Sequence, residues 1–140
     1  MRSVVQRVRS ASVAASGEQL ASIGAGLLIL VAVHTGDTIE AADAHARKLL
    51  ALRIFEDADG RLSRSVVDTG GEILCVSNFT VYADTRKGSR PSFTAAARPD
   101  QAQPLYERVR EALGARGGRF GAHMAVELVN DGPVTIVVET

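Results

Sequence analysis

Leu27-Leu28-Ile29-Leu30-Val31-Ala32-Val33 is the stretch on which the reading of the fold turns. An apolar run without polar alternation does not suit a strand with one wet face, so it predicts a strand buried on both sides. It is also far shorter than the roughly 20 residues of a membrane-crossing helix. Two covering layers are needed, and the flanking sequence supplies candidates for both. Downstream, Asp37-Thr38-Ile39-Glu40 has the form of a capping box, with an acid three residues after an N-cap candidate. Ile39, Ala42, Ala46, Leu49 and Leu50 follow at helical spacing and predict a helix to about Leu52, its apolar stripe packed on a sheet. Upstream, the Val-rich residues 2–9 and Ser12-Val13-Ala14-Ala15 read as strand. Ser16-Gly17 turns the chain, and Gln19 to Ile23 returns antiparallel.

Arg53-Ile54-Phe55-Glu56 reads as a short strand closed by Asp57-Ala58-Asp59-Gly60. That tetrapeptide superficially resembles a calcium loop, but it lacks the distal Glu, and Asp-Gly is a hairpin dipeptide. Gly70-Gly71 precedes another strand, Glu72 to Val76. A second helix is expected from Asp100 as N-cap to Gly114 as C-cap. Ala102, Leu105, Tyr106, Val109 and Leu113 form its stripe, and Pro104 falls in its first turn. His123 to Val129 and Val134 to Val138 read as two final strands separated by Asn130-Asp131-Gly132-Pro133. The sum is one α+β domain over residues 1–140, a curled, mainly antiparallel, barrel-like sheet with two packed helices.

Composition narrows the function classes. The 140 residues carry sixteen cations and sixteen anions, which excludes a cationic coat for nucleic acid. A local patch is still present, because Arg86, Lys87, Arg90 and Arg98 lie between Thr85 and Pro99 with no acid among them. It reads either as a solvated loop or as a phosphate-facing surface. The single cysteine, Cys75, excludes a disulfide framework and sits in an apolar strand, as an inert core thiol does. Charged residues within Met1–Arg9 leave no room for a secretory h-region, so a cytoplasmic protein is expected. Phosphate-binding loops, dinucleotide fingerprints, His-Glu-x-x-His and Gly-x-Ser-x-Gly are all missing. His34, His45 and His123 have no ligand-spaced partners, so neither a metal nor a cofactor is expected.

Two segments stand out. In Ser77-Asn78-Phe79-Thr80-Val81-Tyr82-Ala83 an apolar strand runs into a polar cluster. Its hydroxyls either satisfy the strand end or line a pocket, with Thr80 or nearby backbone N–H groups aimed at a carbonyl. In Asn130-Asp131-Gly132-Pro133-Val134-Thr135 the Gly-Pro pair is either an ordinary turn or a cis peptide that fixes two carbonyl oxygens as acceptors.

Together with Gln6-Arg7-Val8, Ile23-Gly24-Ala25-Gly26-Leu27-Leu28, Arg53-Ile54-Phe55 and Arg90-Pro91-Ser92-Phe93, these segments make the whole chain resemble the D-aminoacyl-tRNA deacylase family. The Gly-Pro motif matches without departure, whereas Asn78 stands where the family has Gln. The resemblance implies a homodimer with its active site at the subunit interface, acting on the aminoacylated end of tRNA. It implies release of D-amino acids and glycine, as chiral proofreading in translation quality control. Ser77, Phe79 and Thr80 would receive the terminal adenosine and ester, with Asn78 beside them. Gly132-Pro133, supported by Arg7, Asn130 and Thr135, would reject L-residues, and Arg86, Lys87 and Arg90 would meet tRNA phosphates. An activated ester needs positioned water and oxyanion stabilisation, not a metal. Two routes fit: a covalent Thr80, for which no activating base is legible, or backbone N–H groups assisted by the substrate's ribose hydroxyl, which is favoured. The alternative to an enzyme is a non-catalytic nucleic-acid-binding or adaptor module on the same fold.

Overall fold

A computed structural model describes all of residues 1–140. Its spine is β1 (Arg2–Ala15), which pairs antiparallel with β3 (Gly26–Ala32) in its first half and β2 (Glu18–Ile23) in its second. The opposite edge of β1 carries β8 (Ala125–Glu139), again antiparallel. β3 then runs parallel to β6 (Glu72–Ser77), and β6 parallel to the two-residue β7 (Arg116–Gly117). The β3–β6 crossover contains α1 (Ile39–Leu50), a separate hairpin of β4 (Phe55–Glu56) and β5 (Leu62–Arg64), and the short α2 (Val66–Thr69). A 3-10 turn (Phe79–Tyr82) and α3 (Pro99–Ala112) complete the order. The mainly antiparallel expectation holds for the three ladders of β1, and parallel pairing enters where a helix carries the chain back.

β3 is buried on both faces, as its apolar run predicts. Leu27, Ile29 and Val31 face the helices, packed with Ala42, Ala46 and Leu49 of α1 and Leu105, Tyr106 and Val109 of α3. Leu28 belongs to a second cluster with Val8, Val13, Leu74 and Val76, on the side toward which the sheet curls. Gly26 is required by packing, since a Cβ there would stand 1.8 Å from the Glu72 carbonyl oxygen of the neighbouring strand. No helix is long and apolar enough to cross a membrane.

Several local expectations are corrected. Thr38, not Asp37, caps α1, accepting the Ala41 N–H at 3.2 Å, and Ile39 lies on the solvent side. Asp37 instead accepts from the Met1 ammonium at 3.0 Å and the His34 N–H at 2.6 Å, so a buried charge claims the carboxylate. α3 starts at Pro99, which places Asp100 in its first turn and Pro104 beyond it. α2 was not legible as a helix although Ser65 and Asp68 form a reciprocal capping box, because one turn has no periodicity to read. The two expected final strands are one strand. Asn130-Asp131-Gly132-Pro133 is a bulge within β8, and β1 pairs with both sides of it through shifted registers.

His45 on α1 is completely buried, its Nε2 2.7 Å from Ser3 Oγ and its Nδ1 2.8 Å from Thr140 Oγ1. Burial, reinforced by the nearby Met1 ammonium, pushes it down to about 4. The fold therefore holds the neutral ring, and its contribution is complete above the unfolded value near 6.5. As the pH falls from there toward 4, the unfolded chain takes up a proton that the native ring refuses. Denaturant unfolding should lose roughly 1.4 kcal/mol per pH unit from this residue across that window, and His45→Gln should flatten the dependence by a comparable slope.

Candidate active site

The last residue of β6, Ser77, delivers the chain to a turn whose start is held from two sides. The Asn78 N–H donates to the Val31 carbonyl at 2.8 Å, anchoring the turn to β3. The Asn78 side chain then acts as N-cap, its Oδ1 accepting the Thr80 N–H at 3.1 Å and the Thr80 hydroxyl at 2.5 Å. The far end is fixed by buried Tyr82, which meets the His34 ring edge-on at 5.4 Å and lies 4.6 Å beneath the Arg2 guanidinium. Between these anchors Phe79 and Thr80 are exposed. Phe79 meets Phe93 edge-to-face at 5.2 Å. Phe93 is brought there by a loop stitched to the end of β3, where Ala97 N–H reaches the Val33 carbonyl at 2.8 Å.

Ser77, Asn78, Phe79, Thr80 and Phe93 rim a cavity of about 990 Å³. Its floor is the second face of the sheet, Leu28, Leu30, Val76, Val126 and Leu128, left open where the curl does not close. The volume lies at the upper end of small-molecule sites. Polar groups are few. Gln6 Nε2 donates to Thr135 Oγ1 at 3.0 Å, and the Tyr106 hydroxyl donates to the Cys75 carbonyl at 2.8 Å. Tyr106 and His123 are the ionisable side chains of the lining, and only His123 has no partner within the chain. Cys75 lies outside it, fully buried in the helix-side core, with its thiol pushed up to about 12 by burial.

The second constellation is the β8 bulge. Arg7, only 6% exposed, donates from Nε to the Asp131 carbonyl at 3.1 Å and from Nη1 to the Ile54 carbonyl at 2.8 Å. The Asp131 carboxylate lies 3.5 Å from both Arg7 Nε and Arg9 Nε. Asn130 Nδ2 spans the bulge to the Val134 carbonyl at 3.0 Å. The Gly132–Pro133 peptide is cis, and Gly132 has φ +139°, where an L side chain is strained. Gly132 and Pro133 are exposed and are not among the cavity-lining residues.

Ser77, Asn78, Phe79 and Thr80 are thus gathered at the cavity, while Arg7, Asn130, Gly132, Pro133 and Thr135 form a separate feature joined to it through Gln6. Arg86, Lys87 and Arg90 lie on an exposed loop. Arg86 is bound to Asp84, Nε to Oδ1 at 2.9 Å and Nη2 to Oδ2 at 2.6 Å, and this contact holds the Asp84 carboxyl down at about 2. The free charge of the patch is therefore Lys87 and Arg90, extended by Arg98. Phe93 and His123 line the cavity without having been assigned a role from sequence. Its place in Arg90-Pro91-Ser92-Phe93, a segment that carries the resemblance, was the available signal for the first, and the second had none.

A Cβ at Gly132 would stand 2.8 Å from Val134 Cγ2 and 3.0 Å from Arg7 Nη2. Gly132→Ala should therefore cost on the order of 1–3 kcal/mol in thermal unfolding, and Arg7→Lys, which loses the fork, should loosen the same segment in amide exchange.

Residues 4–139 match a model of the family described as D-Tyr-tRNA(Tyr) deacylase. The D-aminoacyl-tRNA deacylase of Geobacillus sp. (strain WCH70) is 54% identical over 145 residues, covering 100% of this chain and 95% of that protein. Among solved structures, the c-Myc DNA Unwinding Element Binding Protein superposes with a TM-score of 0.94 at 42% identity, covering 100% of this chain and 99% of that one. A probable eukaryotic D-amino acid tRNA deacylase shares the fold at a TM-score of 0.84 and 18% identity, covering 98% and 97% of the two chains.

Proposed function

The chain belongs to the D-Tyr-tRNA(Tyr) deacylase family, and we propose from that premise how its geometry hydrolyses the ester between a D-amino acid and tRNA. The family match over residues 4–139 carries the activity. The terminal adenosine and its aminoacyl group occupy the cavity, with Phe79 and Phe93 as an apolar wall. An aminoacyl ester is already activated, so the work left is to position water and to stabilise the oxyanion. The Thr80 N–H is taken by Asn78, which leaves the Phe79 N–H, at the start of the turn, as its backbone donor. The lining offers no carboxylate, thiolate or amine as a base, and its one unpartnered ionisable group is the His123 imidazole. The ribose hydroxyl beside the ester assists the attacking water.

Chirality is sorted by Gly132-Pro133, whose carbonyls occupy the side on which an L side chain would have to lie. A steric wall discriminates by the cost of a clash, which exceeds what one added contact supplies. Because the pair is exposed and outside the cavity of its own chain, the site is completed by a second copy whose bulge enters the cavity mouth. Exposed Val137 on β8, together with Leu128 shared with the cavity lining, supplies an apolar surface for that homodimer. Lys87 and Arg90 meet acceptor-end phosphates, in a cytoplasmic role in translation quality control.

One observation favours a second reading, nucleic-acid binding without hydrolysis: the 42% identical solved structure is named for DNA-element binding. Incubation with matched D- and L-aminoacyl-tRNA separates the two. Release of the amino acid from the D-ester alone is expected, by a dimer in sedimentation, and binding without release would favour the second reading. Thr80→Ala should slow turnover with no acyl-enzyme detectable by mass spectrometry in the parent protein. Lys87→Ala combined with Arg90→Ala should raise KM and flatten its salt dependence. His123→Ala should change kcat by less than about threefold, because a general base is worth ~100-fold or more.

A further inference from the structure

We infer that His123 binds the phosphate that joins the terminal nucleoside to the rest of the tRNA, an inference that rests on the deacylase reading above. Among the side chains that line the cavity, His123 is the one that can carry a positive charge, and it has no hydrogen-bond partner in its own chain. No Asp, Glu, Lys or Arg accompanies it in the lining. No acid of the wall therefore competes for the imidazole, and no other cation of the wall serves an anionic group of the ligand. An imidazole keeps at least one ring N–H in either protonation form, so it donates to an anion in both.

Place in the fold sets which part of the ligand this ring meets. His123 stands just before β8, next to Met124. Met124 and Val126 pack inward on the cluster that holds Leu28 and Val76, whereas His123 is exposed at the cavity rim. An aminoacylated nucleoside seated on the apolar floor leaves the cavity by one covalent connection, its 5′-phosphodiester. That group is the first charge of the tRNA beyond the floor. It is the same whatever the amino acid, so the contact adds binding to every aminoacylated acceptor end and nothing to the sorting of D from L. Lys87 and Arg90, exposed on their loop and absent from the lining, are left for phosphates further along the chain.

Competition on the intact protein turning over D-aminoacyl-tRNA tests this, with adenosine and adenosine 5′-monophosphate as the inhibitors, because the two differ by that phosphate alone. The monophosphate should inhibit the parent protein at about three- to tenfold lower concentration than adenosine, the range of one exposed hydrogen bond. In His123→Ala the two should fall within about twofold of each other, while KM for D-aminoacyl-tRNA rises about three- to tenfold and kcat stays within about threefold. His123→Arg should keep the preference for the monophosphate, which a merely structural role would not allow, and His123→Asp should reverse it. Lys87→Ala combined with Arg90→Ala should leave the preference in place, separating this contact from the cationic loop. Equal inhibition by the two compounds in the parent protein, inhibition by neither, or a preference that survives His123→Ala overturns the inference and leaves the deacylase reading intact. Absence of turnover of D-aminoacyl-tRNA by the parent protein overturns that reading, and the inference with it.

Discussion

The requirement that β3 be covered on both faces organises this molecule. A strand of Leu, Ile and Val exposes nothing that water can satisfy, so each face has to find an apolar layer. Leu27, Ile29 and Val31 find it in α1 and α3. Leu28 finds it in the curled sheet itself, with Val8, Val13 and Val76. The second solution is incomplete. Toward the end of β3 and β6 the curl opens, and Leu30 and Val76 pass from core into cavity floor. The candidate cleft is thus the unfilled end of one of the two cores.

Around that opening the polar groups are largely occupied by one another. Asn78 is spent on Thr80, Gln6 on Thr135 and the Tyr106 hydroxyl on Cys75. Such a site carries little reactive chemistry of its own and much orientation, which suits a substrate whose ester is activated before it arrives. The same economy governs the β8 bulge, where a nearly buried guanidinium grips a main-chain carbonyl and so sets the course of the backbone. Arg7 is tolerated in that position because its nitrogens meet the Asp131 and Ile54 carbonyls and the Asp131 carboxylate.

The elements with period or composition were legible from the chain. The helix stripes of α1 and α3, the doubly buried strand, the Asp57–Gly60 hairpin and the inert Cys75 all follow from residue types at fixed spacing. The residues of both candidate segments were legible as well, through their polar clusters and their resemblance to a family. Where sequence reading missed, a long-range partner had overridden a local signal. Asp37 looks like an N-cap, but the Met1 ammonium, 36 residues away, outbids the helix for its carboxylate. Asn130-Asp131-Gly132-Pro133 looks like a turn between strands, yet β1 is long enough to pair on both sides of it and keeps the chain on course as one strand.

What this amino-acid order determines by itself is therefore the set of layers, the burial of β3 and the inventory of groups near the reaction, because those depend on side-chain polarity and period. Tertiary structure alone decided how the groups divide: a cavity bearing Ser77 to Thr80, and a separate bulge bearing Gly132 and Pro133. It also decided which cations remain free, since Arg86 is neutralised by Asp84 while Lys87 and Arg90 are not. Neither division is encoded in spacing along the chain. Both depend on which hydrogen-bond partner each polar group meets once the sheet has curled.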